Sequence, residues 1–393
     1  MDRTLAVFAV ACSLLAGVAH ACLWDRDTLA AEAKGLPGIT EIITGRFDRF
    51  PTLFYEMRLE RVTAAIVSDP DNLGLYDDAG VACDRLGRSD EAIAWMERKL
   101  LVMDRLESEG ADVGEHRYRY LANLGTFLVH RWLKSGSDRE DMTDVERSRE
   151  LIAAAIELNP DAHFGRERYQ LLAIEWILNV PDEVGAKQNL LHMIPLYRPY
   201  EFGTSDNTLS ALGYADSVEG ISGLIALGNA WQSPEIYRAL AFSLADQGLH
   251  VLSTLSMIRV QDLTLRNAGD QLPDRYADRE LMIPGHAMIL DGYTEVLRAY
   301  YVDASEEASD WVDARNQYAM DRLERGVHPD THSGFWDEWI EPSSAPDFPS
   351  MTTLSHNPID GAFLALAGVG FVAMLLISGL IWLAIKGWSS LRS

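Results

Sequence analysis

Two histidines and a carboxylate near residue 330 are the side chains of this sequence best placed for chemistry. His328, Asp330 and His332 alternate along the chain, and Asp337 and Glu338 follow shortly after. Imidazole and carboxylate groups at such spacing can bind a divalent cation or transfer protons. Proline and glycine surround the motif, so we expect an irregular loop, which lacks the fixed spacing of a helical metal site. We interpret the motif as a polar loop and predict no metal and no cofactor.

Other catalytic signatures are missing from the sequence. It contains no His-Glu-x-x-His, no Gly-x-Ser-x-Gly, no phosphate-binding Walker loop and no Gly-x-Gly-x-x-Gly. Each motif places a metal ligand, nucleophile or phosphate cradle at a defined spacing. We therefore expect no catalytic residues and no enzyme activity. The alternative is an envelope hydrolase whose site is assembled from residues distant in sequence.

The composition restricts the partners that the chain can have. The formal net charge is −25, so the surface repels phosphates and nucleic acid is an unsuitable ligand. A basic peptide or protein surface is the more suitable partner. Of the cysteines, Cys12 falls in the predicted leader, and Cys22 could be lipidated, paired with Cys83 or free.

The first residues are typical of a secretory signal peptide. Arg3 precedes an apolar run from Leu5 to Val18, which is too short to span a bilayer comfortably, and Ala19-His20-Ala21 is a small-x-small cleavage site. We therefore predict that residues 1–21 are removed on export.

A second apolar segment near the C-terminus predicts a transmembrane helix. The run from Gly361 to Ile385 carries no charge and is long enough to cross a hydrocarbon core of about 30 Å. Lys386 and Arg392 follow it, whereas no Lys or Arg occurs between Arg325 and Lys386. By the positive-inside rule, the tail is cytoplasmic and the body is periplasmic, at a bacterial cytoplasmic membrane.

Between these two ends, apolar residues recur at helical spacing and strand-like alternation is scarce. Four such faces are Ala92, Met96, Leu100 and Met103; Leu121, Leu124, Leu128 and Trp132; Ile152, Ala155 and Ile156; and Tyr237, Leu240, Ala241 and Leu244. The pattern predicts an all-α body.

Part of this body resembles the tetratricopeptide repeat, a unit of 34 residues that folds as two helices. Pro70 matches the closing proline of one copy, and the next copy places Tyr76, Gly80, Gly87 and Ala92 on signature positions in one phase. Lys99 departs from the alanine that the family has there. The glycine at position 80 would let two helices approach closely.

Two further copies are fainter. Gly125, Ala155 and Pro160 match a second copy that needs about ten extra residues between its helices. A third copy runs from Tyr237 to about Val260. The resemblance implies a helix-pair solenoid, and an unrelated helical array remains the alternative.

The resemblance also implies a function. Stacked repeats form a concave groove that binds peptides or partner proteins, and the first helix of each repeat faces it. The groove positions here are Asp77, Asp84, Arg85, Arg119, Thr126 and His130. We expect these side chains to be exposed and to bind a protein or peptide.

These inferences divide the chain into seven parts. They are a signal peptide (1–21), repeat-like helices (22–180), an irregular connection (181–215), a second helical half (216–340), a proline- and serine-rich stalk (341–359), a transmembrane helix (360–386) and a cytoplasmic tail (387–393).

The topology can be tested with reporter fusions. A reporter active only outside the cytoplasm should work when fused near Ser343, and a cytoplasmic reporter should work after Ser393, because one membrane crossing separates them. Deleting residues 361–393 should release a soluble protein unless Cys22 is lipidated. The opposite pattern of reporter activity would contradict both the signal peptide and the orientation.

Overall fold

The body of the protein is built from helices. The computed structural model describes residues 37–160, 166–179, 189–197, 208–265 and 291–349, and these ranges contain eleven α-helices and no strand. The all-α prediction is confirmed for the described residues. The helices pack largely in the order in which they follow along the chain, as a helical repeat fold requires.

Seven helices form the first half. They are α1 (Ile39–Thr44), α2 (Thr52–Ser68), α3 (Leu73–Arg85), α4 (Ser89–Ser108), α5 (Gly114–Lys134), α6 (Thr143–Leu158) and α7 (Arg166–Leu178). A 3-10 helix (Leu190–Met193) follows, and the second half contains α8 (Ser217–Ala226), α9 (Pro234–Asp246), α10 (His250–Leu265) and α11 (Asp291–Leu323).

Helices α3 and α4, α5 and α6, and α9 and α10 form three closely packed pairs. These pairs coincide with the three copies of the predicted repeat. The first helix of all three pairs ends in the same way. Gly87 (φ +77°) follows α3, Gly136 (φ +103°) follows α5 and Gly248 (φ +76°) follows α9, and in each case the next residue's N–H donates to a carbonyl five residues earlier. Only glycine adopts this left-handed conformation without steric cost, so it ends the first helix of each pair.

Two glycines lie where neighbouring helices come closest. A Cβ on Gly80 would stand 2.9 Å from Met96 Cε and 3.0 Å from a ring carbon of Phe127, on helices α4 and α5. A Cβ on Gly125 would stand 2.9 Å from Ile152 on α6. Ala92 and Ala155 are fully buried on the second helices of these pairs. Small residues therefore set the spacing between helices in both copies.

The segment predicted as an irregular connection contributes to the core. In its described parts, Leu190, Leu191, Ile194, Tyr197 and Leu209 are buried within the same hydrophobic cluster as α7 to α10. Proline and glycine interrupt helical periodicity here, but the apolar side chains still pack into the hydrophobic core.

The chain closes on itself at its far end. Helix α11 packs against α10, α1 and α2, so the last helix meets the first ones. Residues after α11 then reverse direction. Glu341 lies against Trp311, Ser343 against Glu307, and Phe348 against Tyr300. The described residues of the predicted stalk, 341–349, therefore lie along α11 instead of extending away from the body.

No helix within the described ranges has both the length and the apolar character needed to cross a membrane. The signal peptide predicted at 1–21, Cys22, and the transmembrane helix predicted at 360–386 all lie outside the described residues.

The close approach at Gly80 can be tested with a matched control in the same helix. Gly80→Leu should lower the free energy of unfolding by roughly 1–3 kcal/mol, because the side chain would overlap Met96 and Phe127. Gly74→Ala should raise the free energy of unfolding by up to about 1 kcal/mol, because alanine favours the helix more than glycine does. Its Cβ would meet only Asn72 Oδ1, at 3.5 Å. Urea unfolding followed by circular dichroism measures both changes. Equal effects at the two positions would contradict the tight contact.

Candidate functional site

The six residues predicted to line an open groove do not share one exposed surface. Asp77 and Asp84 are 2% exposed and Thr126 is 1% exposed. Arg85, Arg119 and His130 are partly buried. The expected exposure is therefore wrong for Asp77, Asp84 and Thr126. Whether any of the six binds a partner stays a prediction.

Asp77 is buried because a lysine from the next helix neutralises it. Lys99 Nζ donates to both carboxylate oxygens of Asp77 at 2.7 Å, and Asn123 Nδ2 donates to Oδ1 at 3.0 Å. Burial raises the pKa of Asp77 and lowers that of Lys99, because each charge leaves water, and their mutual attraction opposes both shifts. The pair joins α3, α4 and α5.

Asp84 is buried under two side chains of α5, His130 and Lys134. His130 Nδ1 lies 2.9 Å from one carboxylate oxygen, and Lys134 Nζ donates to the other at 3.0 Å and to the Asp84 carbonyl. Burial alone would raise the pKa of Asp84. The charges and hydrogen bonds of His130 and Lys134 outweigh burial and hold that pKa well below its usual range.

Beside this cluster, α3 contacts the second half of the molecule. Arg85 Nη2 donates to the carbonyl oxygen of Leu227 at 2.8 Å, just after α8. The face of α3 that a repeat would present to a ligand is therefore covered in part by the protein itself.

A cleft remains between α5, α7 and the turn from α8 to α9, with a volume of about 170 Å³. We call it the inner cleft. Its apolar wall includes Val129, Leu133, Ala173, Ile174, Ile177, Leu190, Leu224 and Ile236, and its polar side chains include Thr126, His130, Lys134, Gln170, Gln232, Ser233 and Glu235. Two of the six predicted residues, Thr126 and His130, lie on its α5 wall, and Asp84 holds His130 from behind.

The inner cleft suits recognition of an apolar group with polar contacts at its edge. Gln170 Nε2 donates to Thr126 Oγ1 at 3.0 Å, which fixes the two side chains that join α7 to α5. Next to them, Tyr118 donates to Glu167 Oε1 at 2.7 Å, and burial raises the pKa of Glu167 to about 7. Polar side chains thus border an apolar depression, and two of them, Thr126 and Gln170, are fixed by their mutual hydrogen bond, as in binding sites where a few polar groups orient the ligand.

The histidine motif near residue 330 has a structural role. His328 Nε2 donates to the Phe54 carbonyl at 3.1 Å, and its Nδ1 accepts from the Asp330 backbone N–H at 3.1 Å. Asp330 accepts from Arg58 Nε at 2.9 Å and from Arg58 Nη2 at 2.6 Å, and it also pairs with Arg61. Both ring nitrogens of His328 are therefore engaged. In the described ranges, no three His, Cys, Asp or Glu side chains are grouped as a metal site would require.

One deviation in the sequence signals the buried cluster. Lys99 stands where the repeat family has alanine, so a charge occupies a position that faces the neighbouring helix. A buried lysine needs a carboxylate partner, and Asp77 is 22 residues away. Sequence reasoning missed the pair because it treated each residue by its own position in the repeat.

No protein-family model, curated protein or solved structure matches this chain. The resemblance to tetratricopeptide repeats thus depends on the residues of the chain and on the packing of its helices.

The buried pair gives a testable effect on stability. Asp77→Ala should destabilise the protein by about 3–5 kcal/mol, because Lys99 would be left charged and buried without its carboxylate. The double variant Asp77→Leu with Lys99→Met should recover most of this loss, since it removes both charges. Denaturant unfolding measures both values.

The matched control is Asp71→Ala. Asp71 pairs with Arg105 on the surface, where such pairs contribute about 1 kcal/mol or less. If Asp77→Ala and Asp71→Ala cost the same, the pair with Lys99 is not the interaction that holds α3, α4 and α5 together.

Proposed function

We propose that this protein is a membrane-anchored helical-repeat scaffold that binds a protein or peptide segment through its inner cleft. Its body would lie on the outer face of a bacterial cytoplasmic membrane. The observation that carries the binding proposal is the inner cleft itself, where an apolar depression is surrounded by oriented polar side chains.

The size of the inner cleft favours a side chain as its occupant. Pockets for drug-sized molecules measure roughly 300–1,000 Å³, and the inner cleft has about 170 Å³. That volume suits one large apolar side chain projecting from an extended segment. Such anchors supply most of the affinity of peptide and protein interfaces when they fill a fixed pocket.

Charge at the inner cleft is locally mixed, while the chain as a whole is acidic. Lys134 and His130 stand on one wall and Glu235 on another. Asp77 and Asp84 are neutralised internally, so they offer no charge to a partner. The net charge of −25 still attracts basic residues that flank the anchor. We therefore propose a partner segment with one apolar anchor and a basic surface around it.

The location in the envelope is supported by the sequence. The signal peptide, the uncharged C-terminal run and the positive residues after it each agree with a periplasmic body and one membrane crossing. A tethered body with a cleft for peptide segments is suited to recruit a partner to the membrane, where tethering raises the effective concentration.

Site-specific photocrosslinking in intact cells tests the proposal. A benzoylphenylalanine at Gln232, an exposed residue that lines the inner cleft, should give a discrete crosslinked product with a partner that mass spectrometry identifies. The same probe at Leu101 on α4, an exposed position outside the cleft, is the matched control and should give none. Ala173→Phe should then lower the affinity of the purified protein for that partner at least about tenfold, because it fills the pocket of the anchor.

Added salt should weaken binding as well, since exposed charges are screened over about 8 Å at physiological ionic strength. A folded Ala173→Phe variant that binds like the parent would show that the inner cleft is not the binding site. A crosslinked product at Leu101 equal to that at Gln232 would show only random encounter.

A further inference from the structure

A second cleft, of about 520 Å³, lies where α1, α10, α11 and the turn before α9 meet. We call it the arginine cleft. It is lined by Thr44, Arg49, Trp231, Gln232, Arg259, Asp262, Leu263, Tyr301, Val302, Ser305, Glu306 and Ser309. It is three times as large as the inner cleft, and its walls carry more hydrogen-bond donors.

Two guanidinium groups approach each other in this cleft. A Cβ placed on Gly45 would lie 3.7 Å from Arg259 Nη2 and 3.8 Å from Arg49 Nη2, so both cations border the same small space at the end of α1. Gly45 has φ +92°, where a side chain is strained. Glycine is required here for the backbone conformation, and both guanidiniums lie within ordinary contact distance of its Cβ position.

Carboxylates compensate these cations only in part. Among the ion pairs of the described residues, none includes Arg49, whose guanidinium rests 4.5 Å above the Trp231 ring and donates to the Gly45 carbonyl. Arg259 is 8% exposed. Its Nη1 donates to the Tyr301 hydroxyl at 3.2 Å, and the ion pair it forms within the described residues, with Asp262, is 3.6 Å long. The Asp262 oxygen of this pair accepts the Tyr301 hydroxyl at 2.8 Å.

Burial and proximity both destabilise the two cations. The Nε atoms of Arg49 and of Arg259 are both buried and have no hydrogen-bond partner. A buried donor left unpaired costs about 1–3 kcal/mol, and more when it belongs to a charged group. Proximity of the two cations adds repulsion. The pKa of Arg49 is lowered mainly by burial and, to a smaller extent, by the positive charge of Arg259. An oxyanion between the two guanidiniums would offset the repulsion between them.

We propose that the arginine cleft binds a small organic oxyanion, a carboxylate or a phosphate ester, held between Arg49 and Arg259. Its organic part contacts the aromatic surface of Trp231 and Tyr301. Gln232, which also lines the cleft, can donate a further hydrogen bond through its side-chain amide. An inorganic anion alone would fill only a small part of 520 Å³, so the volume favours an organic body.

The surrounding charges make this site selective. Glu306 lines the mouth of the cleft, Asp313 lies near Arg49, and the whole chain is acidic. A long-range field of this sign repels anions in general. Binding therefore depends on short-range contacts with the two guanidiniums, which only a well-fitted oxyanion makes.

Calorimetry on the full-length protein in non-ionic detergent tests the assignment, with benzoate, phenyl phosphate and inorganic phosphate as probes. Sodium chloride at equal ionic strength controls for general screening of the acidic surface. At least one of the two aromatic anions should bind and raise the melting temperature, and it should bind more tightly than inorganic phosphate. Arg49→Gln should weaken that binding at least about tenfold, because a charge-assisted contact is lost.

Arg298→Gln is the matched control. Arg298 lies on α11 and donates to Gln261, outside the cleft lining, so its replacement should change affinity by less than roughly twofold. Arg49 is partly exposed, so its variant should stay folded. An absence of binding by all three probes, or unchanged affinity in Arg49→Gln, would overturn the site. Aromatic anions that bind no better than inorganic phosphate would overturn the organic ligand.

Discussion

The ion pair between Arg58 and Asp330 is the constraint on which the closed shape of this protein depends. Arg58 belongs to the first long helix, and Asp330 follows the last one, 272 residues later. Both side chains are almost completely buried. Charges removed from water are tolerated only when their partner is in place with good geometry, and here two hydrogen bonds join them. Burial of either charge therefore requires that α2 and the residues after α11 be packed together.

Apolar and aromatic contacts surround that ion pair and extend the closure. Phe54 of α2 stacks on His328, which follows α11. Phe335 belongs to the same apolar cluster as Phe54. Further along, Arg315 lies 3.7 Å above the Trp336 ring. A stack of repeats normally leaves two uncovered end faces. In this protein, α11 and the residues after it cover the first helices, so the array needs no separate cap there.

The sequence predicts the helices better than it predicts what faces water. Helical spacing identified the faces of α4, α5, α6 and α9, because the positions of apolar residues within one helix are a local property. Burial of Asp77 and Asp84 is not local. Their cations come from α4 and α5, 22 to 50 residues away. A carboxylate at a groove position is expected to be exposed unless a cation from another helix pairs with it. Only the packing of the helices shows that such cations point toward Asp77 and Asp84.

Residues 228–233 contribute to the walls of both clefts. A ligand in one cleft could therefore affect a ligand in the other through this segment. Gly228, Asn229, Ala230, Gln232 and Ser233 line the inner cleft, while Trp231 and Gln232 line the arginine cleft. The segment is held from two sides, by Arg85 on the Leu227 carbonyl and by Arg49 over Trp231. Ligands at two sites influence each other only if both change the relative stability of two arrangements of a shared element. This turn is the element that the two clefts share. Any coupling between ligands in the two clefts would therefore act on Gln232 and its neighbours.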